Sequence, residues 1–229
     1  DKSSVLAMLN GVRDEFKEVL PIMCDANPQY IGFEVVSKED PLNEKTSTRG
    51  SNCTSVDAFI HAKHRDDSIW LIPIEWKYTE HYANLDKSKE DRQGEEKGSN
   101  GKGQERVRRY SALTDASLQL KSLDSYYGSI YYQEPFYQLM RQTLWAENVV
   151  KLKEENLKAD NYMHIHVIPS DNKALLSKKY SVSGIAMEET WRSMLSDQSK
   201  YIIVDPQKLL EPIKDKYPEL VLYLKKRYW

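Results

Sequence analysis

The chain has 229 residues, with 33 Lys and Arg against 35 Asp and Glu for a net charge of −2, 40% apolar residues, 15 Tyr and 5 Trp. Such a composition describes an ordered globule rather than a disordered chain, and the length suits a single domain over residues 1–229. The charge balance excludes a protein that coats nucleic acid through bulk electrostatics, and no apolar run reaches the ~20 residues of a membrane span, while a local basic groove stays compatible with both facts.

Only Cys24 and Cys53 occur, without the spacing of a metal knuckle or disulfide framework, so both are expected as small buried residues in a reducing, cytoplasmic setting. Residues 1–10 lack the layout of a signal peptide.

In chain order, Val5, Met8, Leu9, Val12, Phe16, Val19 and Leu20 recur at helical spacing behind Ser3 or Ser4, which predicts one amphipathic helix ended by Pro21. Residues 30–36 (YIGFEVV) have the make-up of a strand. Residues 38–55 are polar, with Pro41 and Gly50, and read as a loop. Two strands are predicted over 55–62 (SVDAFIHA) and 68–78 (SIWLIPIEWKY), joined by the turn 64–67. The second is almost continuously apolar, hence central and covered on both faces.

From 86 to 103 the chain turns to Lys, Glu, Ser and Gly, which predicts a mobile charged insertion at about 85–105. A helix over 106–123, a Tyr-rich connector over 126–133 and a helix from Phe136 to about Asn156 follow, with Pro135 suited to the first turn of the latter. The remainder predicts a strand over 163–169, a helix over 185–196, a strand over 201–204 and terminal helices over 207–213 and 219–227.

The informative pattern is an Asp on one strand and Glu-x-Lys on the next: Asp57, then Glu75-Trp76-Lys77. Strand side chains alternate, so Glu75 and Lys77 share a face and Trp76 takes the other. Two carboxylates held close call for a cation, and hard oxygen ligands favour Mg²⁺ or Mn²⁺. Such an ion activates water and polarises a phosphate, with Lys77 beside it to orient the nucleophile or neutralise developing charge. The triplet alone is a weak signal, because a surface ion pair Glu75–Lys77 and a strand-entry Asp57 would look the same. Its position at the end of the most apolar stretch favours chemistry, since charge there is costly.

These residues resemble the restriction-endonuclease-like PD-(D/E)xK superfamily. The blocks RGSNCTSVDAF, IPIEWKYTE and QLMRQTLWAE, with the terminal YLKKRYW, resemble more narrowly a bacterial group of restriction-endonuclease-like proteins. Val56 stands where the superfamily name has Pro. The resemblance implies an α/β fold with a mixed central sheet flanked by helices and a metal site, but no substrate; with the chemistry above, the expectation is a Mg²⁺-dependent endonuclease acting on DNA. It places Asp57 and Glu75 as metal ligands, with the Trp76 carbonyl beside them, and Lys77 as the positioning residue. Glu15, from the first helix, is the expected additional acid, with Glu34 as its competitor.

Gln138 and Gln142 are four apart on one helix face, flanked by Arg141, and read either as a groove wall contributing to catalysis or as interior amides satisfied by backbone. Eight basic residues lie between Lys87 and Arg109. Most read as a solvated loop, but Arg106, Arg108 and Arg109 at a helix start stand out as nucleic-acid contacts, together with Arg141 and the polar Arg49, Ser51 and Asn52. His164 and His166 share a strand face and read as ordinary strand residues rather than a metal pair. A homodimer is compatible with cutting both strands. The competing reading is a nuclease fold that binds nucleic acid or protein without cleaving.

Overall fold

The Asp1 carboxylate accepts from the Ser4 N–H at 3.1 Å and so starts α1, Lys2–Val12, two residues before Ser3, the earlier of the two expected caps. The computed structural model describes residues 1–24, 27–37, 39–45, 53–83, 85–90, 101–153 and 158–228. Arg49, Ser51 and Asn52 lie outside them.

The helix expected to reach Leu20 stops at Val12, and Phe16–Val19 forms strand β1 instead. The Asn10 side chain turns the chain by bonding both the N–H (3.1 Å) and the C=O (2.9 Å) of Phe16. A register irregularity between Phe16 and Glu18 places Phe16 and Val19, three apart, both in the core. That bulge mimics helical spacing in the sequence.

After a small hairpin of β2 (Ile22–Cys24) and β3 (Asn27–Gln29) come β4 (Gly32–Val35), β5 (Val56–His64) and β6 (Ile69–Trp76). Helix α2 spans Lys102–Asp115 and α3 Phe136–Leu152, followed by β7 (Asn161–Tyr162), β8 (His164–Val167), α4 (Lys173–Leu176), α5 (Met187–Ser193), β9 (Tyr201–Val204), α6 (Pro206–Leu210) and α7 (Pro218–Tyr228). Among the described residues no helix is long and apolar enough to cross a membrane.

The main sheet runs β1-β5-β6-β8-β9, with β4 also on β5 and β7 also on β6. Pairings on the β5 side are antiparallel, and those from β6 to β9 parallel. This is the mixed α/β architecture that the resemblance implies, and β6 lies in its middle as expected. Alternation along β6 sends Trp70, Ile72 and Ile74 into the core under α1, and Leu71 into the core with the α3 residues Leu139, Met140 and Trp145. Glu75, one step beyond Ile74, therefore faces α3.

The expected charged insertion has its middle, 91–100, outside the described residues, but its flanks pack. Ser88, in a 3₁₀ turn Lys87–Lys89, is buried, and Asp86 bridges Gln133. Gly103 donates to Glu90 C=O at 2.7 Å, and a Cβ there would sit 2.0 Å from Ser88 O. Only Gly lets α2 approach that turn so closely.

Candidate active site

Strands β5 and β6 pair with Ala58 opposite Ile74, and continuing that antiparallel register by one residue sets Asp57 opposite Glu75. The Trp76 N–H donates to Asp57 Oδ2 at 2.9 Å, which fixes the carboxylate at the strand end. Lys77 continues β6 and donates its N–H to Val167 C=O at 2.9 Å, so β8 holds it in place. Glu75 is 3% and Lys77 7% exposed. One Glu75 oxygen pairs with Lys77 Nζ and the other accepts from Gln142 Nε2.

Burial pushes the Glu75 carboxyl up to about 7; Lys77 opposes that rise and Asp57 adds to it. Burial pulls Lys77 down, but the adjoining Glu75 carboxylate wins and holds the ammonium above its usual range. Burial raises the Tyr82 hydroxyl, and the nearby Lys77 ammonium opposes that rise. Lys77 is the cation paired with Glu75, while Arg141, the other cation of the pocket, is paired with Glu44.

A cavity of about 190 Å³ is lined by Asp57, Glu75, Lys77, Gln138, Arg141 and Gln142 among others. The Oε1 atoms of Gln138 and Gln142 are buried without a hydrogen-bond partner among the described residues. Oxygen donors with acceptors left open fit a hard divalent cation. Among the described residues no three His, Cys, Asp or Glu converge as a metal site, so such an ion would take two carboxylates plus amide, main-chain or water oxygens.

One wall is held by a buried carboxylate. The Asp40 carboxylate accepts from the N–H groups of Glu44 (2.7 Å) and Lys45 (2.6 Å), shaping the loop that carries Glu44. Glu44, 6% exposed, accepts from Thr54 N–H (2.5 Å), Thr54 Oγ1 (2.7 Å), Tyr110 Oη (2.6 Å) and Arg141 Nη2 (3.0 Å). It ties the approach to Asp57, helix α2 and helix α3 together.

The whole chain, residues 1–229, matches the family described as restriction endonuclease associating with ARP. The chain belongs to that family. Searches of curated proteins and of solved structures returned no match. Membership agrees with the mixed sheet and marks this restriction-endonuclease family member as nuclease-like, with Asp57, Glu75, Lys77, Gln138 and Gln142 gathered in one cavity.

Other expected site residues of this family member fall elsewhere. Glu15 is not on α1 but in the turn before β1, paired with Arg13 (2.7 Å) and near His64 (3.4 Å). Its C=O accepts from Arg65, seven to eight residues along β5 from Asp57, about 25 Å at strand rise. It cannot join the Asp57–Glu75 pair. The β4–β5 register, Phe33 opposite Ala58 and Val35 opposite Val56, sets Glu34 across from Asp57 instead. Arg108 is exposed on α2, away from Arg106 and Arg109, which line an adjoining cavity with Arg141.

His164 and His166 stack at 6.4 Å, fully buried, with His166 Nδ1 and Tyr201 Oη 2.8 Å apart. Burial presses His164 down to about 3 and His166 well below the usual histidine range. They lie on β8 as neutral core residues. Cys53 is half-buried rather than buried and lines the site, its thiol pushed up by burial. Sequence reasoning missed Glu44, Glu134, Lys87 and Lys102, because a polar loop residue and a charged-loop lysine look the same whether solvated or enclosed.

Proposed function

We propose that this chain is a Mg²⁺- or Mn²⁺-dependent endonuclease that hydrolyses phosphodiester bonds in DNA. The observation that supports this reading best is the meeting, in one small cavity, of opposed carboxylates on neighbouring strands with a lysine and an amide that both bond Glu75. When bound, the cation supplies charge neutralisation at the phosphate and acidifies water. Asp57 and Glu75 would hold it, with the Trp76 carbonyl as a further main-chain oxygen.

The remaining work falls to the chain's own groups. Lys77, held protonated beside Glu75, offers N–H donors to an attacking water or to the negative charge that grows on the phosphate. Gln142 fixes the Glu75 carboxylate through its amide N–H, while its Oε1 stays buried without a partner among the described residues. Gln138, one turn away, places a second buried amide oxygen against the same space, and Arg141 offers its guanidinium to substrate phosphate.

Supercoiled DNA incubated with the protein and Mg²⁺ should be nicked or linearised, while EDTA, Asp57→Asn or Lys77→Ala should each remove at least about two orders of magnitude of rate, in the range of losing a principal electrostatic catalytic group. Parallel assays with RNA fix the substrate class. Tight DNA binding with no cleavage by wild type under either metal would instead favour a binding module. Concentration-dependent double-strand cutting would support action as a homodimer.

A further inference from the structure

Beside the carboxylate cavity lies a larger one of about 400 Å³, and the two share Cys53, Gln138 and Arg141 as a common wall. Five cationic side chains line it: Lys87, Lys102, Arg106, Arg109 and Arg141. The arginines are held by carboxylates: Arg106 by Glu90 at 2.7 Å, Arg109 by Glu105 at 2.9 Å and Arg141 by Glu44 at 3.0 Å. Each pair occupies few of the five N–H donors of a guanidinium, and Arg141 Nε is buried with no partner among the described residues.

The chamber also contains two tyrosine rings, which elsewhere would stack a base. Here they carry guanidinium groups already: Arg106 (5.7 Å) and Arg141 (5.3 Å) lie over Tyr137, and Arg109 (5.9 Å) and Arg141 (6.0 Å) over Tyr110. The Tyr110 hydroxyl is spent on Glu44. Aromatic surface in the chamber therefore orients cations and is not offered to a base. Glu105 and Glu134 are the two carboxyl groups in the lining. Glu134 is buried, its carboxyl raised by burial against the pull of Lys87, Lys77 and Arg141.

We propose that this chamber is a phosphate subsite, which takes the phosphodiester next to the scissile one on the same strand and recognises its charge without reading the base. The assignment rests on the nuclease reading of the adjoining cavity. A strand whose scissile phosphate sits at Asp57 and Glu75 passes the shared wall at Arg141 and Gln138, and its next phosphate enters the cationic space. Selection on that side is then independent of sequence, as charge recognition of the backbone always is.

The test uses the intact chain with EDTA present, so that binding is measured without cleavage. Fluorescence anisotropy of a labelled oligonucleotide across a salt series should show Arg109→Gln and Lys102→Gln each weakening Kd severalfold to tenfold and lowering the magnitude of the log Kd–log salt slope by about 1. Lys102 is exposed, so its variant folds even where Arg109→Gln does not. With Mg²⁺, a methylphosphonate at one phosphate adjacent to the scissile position should cut kcat/KM about tenfold in wild type and less than about twofold in Arg109→Gln. Base changes at that nucleotide should leave kcat/KM within about twofold.

Unchanged Kd and salt slope in both variants would overturn the subsite while active wild type kept the nuclease reading intact. A requirement for a terminal 5′-phosphate, or a base preference lost in Arg109→Gln, would overturn it in favour of end or base recognition. Inactive wild type with the expected binding losses would sink the nuclease reading and overturn the place of the subsite beside a scissile phosphate, leaving a chamber that binds backbone phosphate alone.

Discussion

Glu44→Ala should destabilise the protein more than any other single change around the site. Four donors converge on that carboxylate, and three of them, from Thr54 and Tyr110, are buried. Taking one partner from a buried ion pair costs about 3–5 kcal/mol, and orphaned donors cost about 1–3 kcal/mol each where water cannot reach them. Relaxation overlaps these losses, so about 4 kcal/mol is the expected total. A chain of this size loses about 2–4 °C per kcal/mol, which puts the Tm about 8–16 °C lower. Thermal and urea melts of Glu44→Ala, Arg141→Ala and the double variant measure it, with a coupling of about 2 kcal/mol expected from the pair. A fall under about 3 °C, or a coupling below about 0.5 kcal/mol, would refute the reasoning, because Glu44 would then be solvated or Arg141 not its partner.

Gln142→Leu keeps the bulk of the side chain but leaves a buried Glu75 oxygen without its donor; stability should drop by about 1–3 kcal/mol, and cleavage in Mg²⁺ should fall well below wild type in a plasmid assay. Gly103→Ala forces a Cβ to within 2.0 Å of the Ser88 carbonyl, so melts should show a loss of about 1–3 kcal/mol, and no loss would mean that α2 does not seat on that turn. Stability should also decline on acidification. The histidine pair is buried neutral, so its contribution is full above the unfolded value of 6.5 and is lost as pH falls below it, by about 1.4 kcal/mol per pH unit for each imidazole. Glu75, held up to about 7, works the other way: its contribution is full below about 4.5 and is lost as pH rises through 7, which offsets one histidine between about 4.5 and 6.5. Melts of His164→Phe in EDTA between pH 7.5 and 5 should therefore show a shallower decline than wild type, and an unchanged decline would sink this account.

Much of the fold was legible because burial imposes a period. The run from Ile69 to Trp76 could only be a covered central strand, and the 65–68 turn follows from polar residues between two apolar runs. Phe16 and Val19 misled because a bulge in β1 gives a strand the three-residue spacing of a helix. Helix α2 begins at Lys102 rather than 106 because its first turn is anchored by Gly103 against Ser88, a contact between segments with no local signature.

For the site, the residues of one hairpin were readable in advance. Asp57, Glu75 and Lys77 lie on strands joined by a short turn, so alternation and register settle which side chains meet, whereas helical spacing sets Gln138 and Gln142 on one face of α3 and only the packing of that helix brings Gln142 to Glu75. What only the tertiary structure decided is everything that depends on distant segments meeting. It set Glu15 at the far end of β5, put Glu34 across from Asp57, enclosed Glu44, and turned scattered basic residues into a chamber sharing a wall with the carboxylates. A charged residue in a loop has the same sequence signature in water as in a pocket, and only packing distinguishes the two.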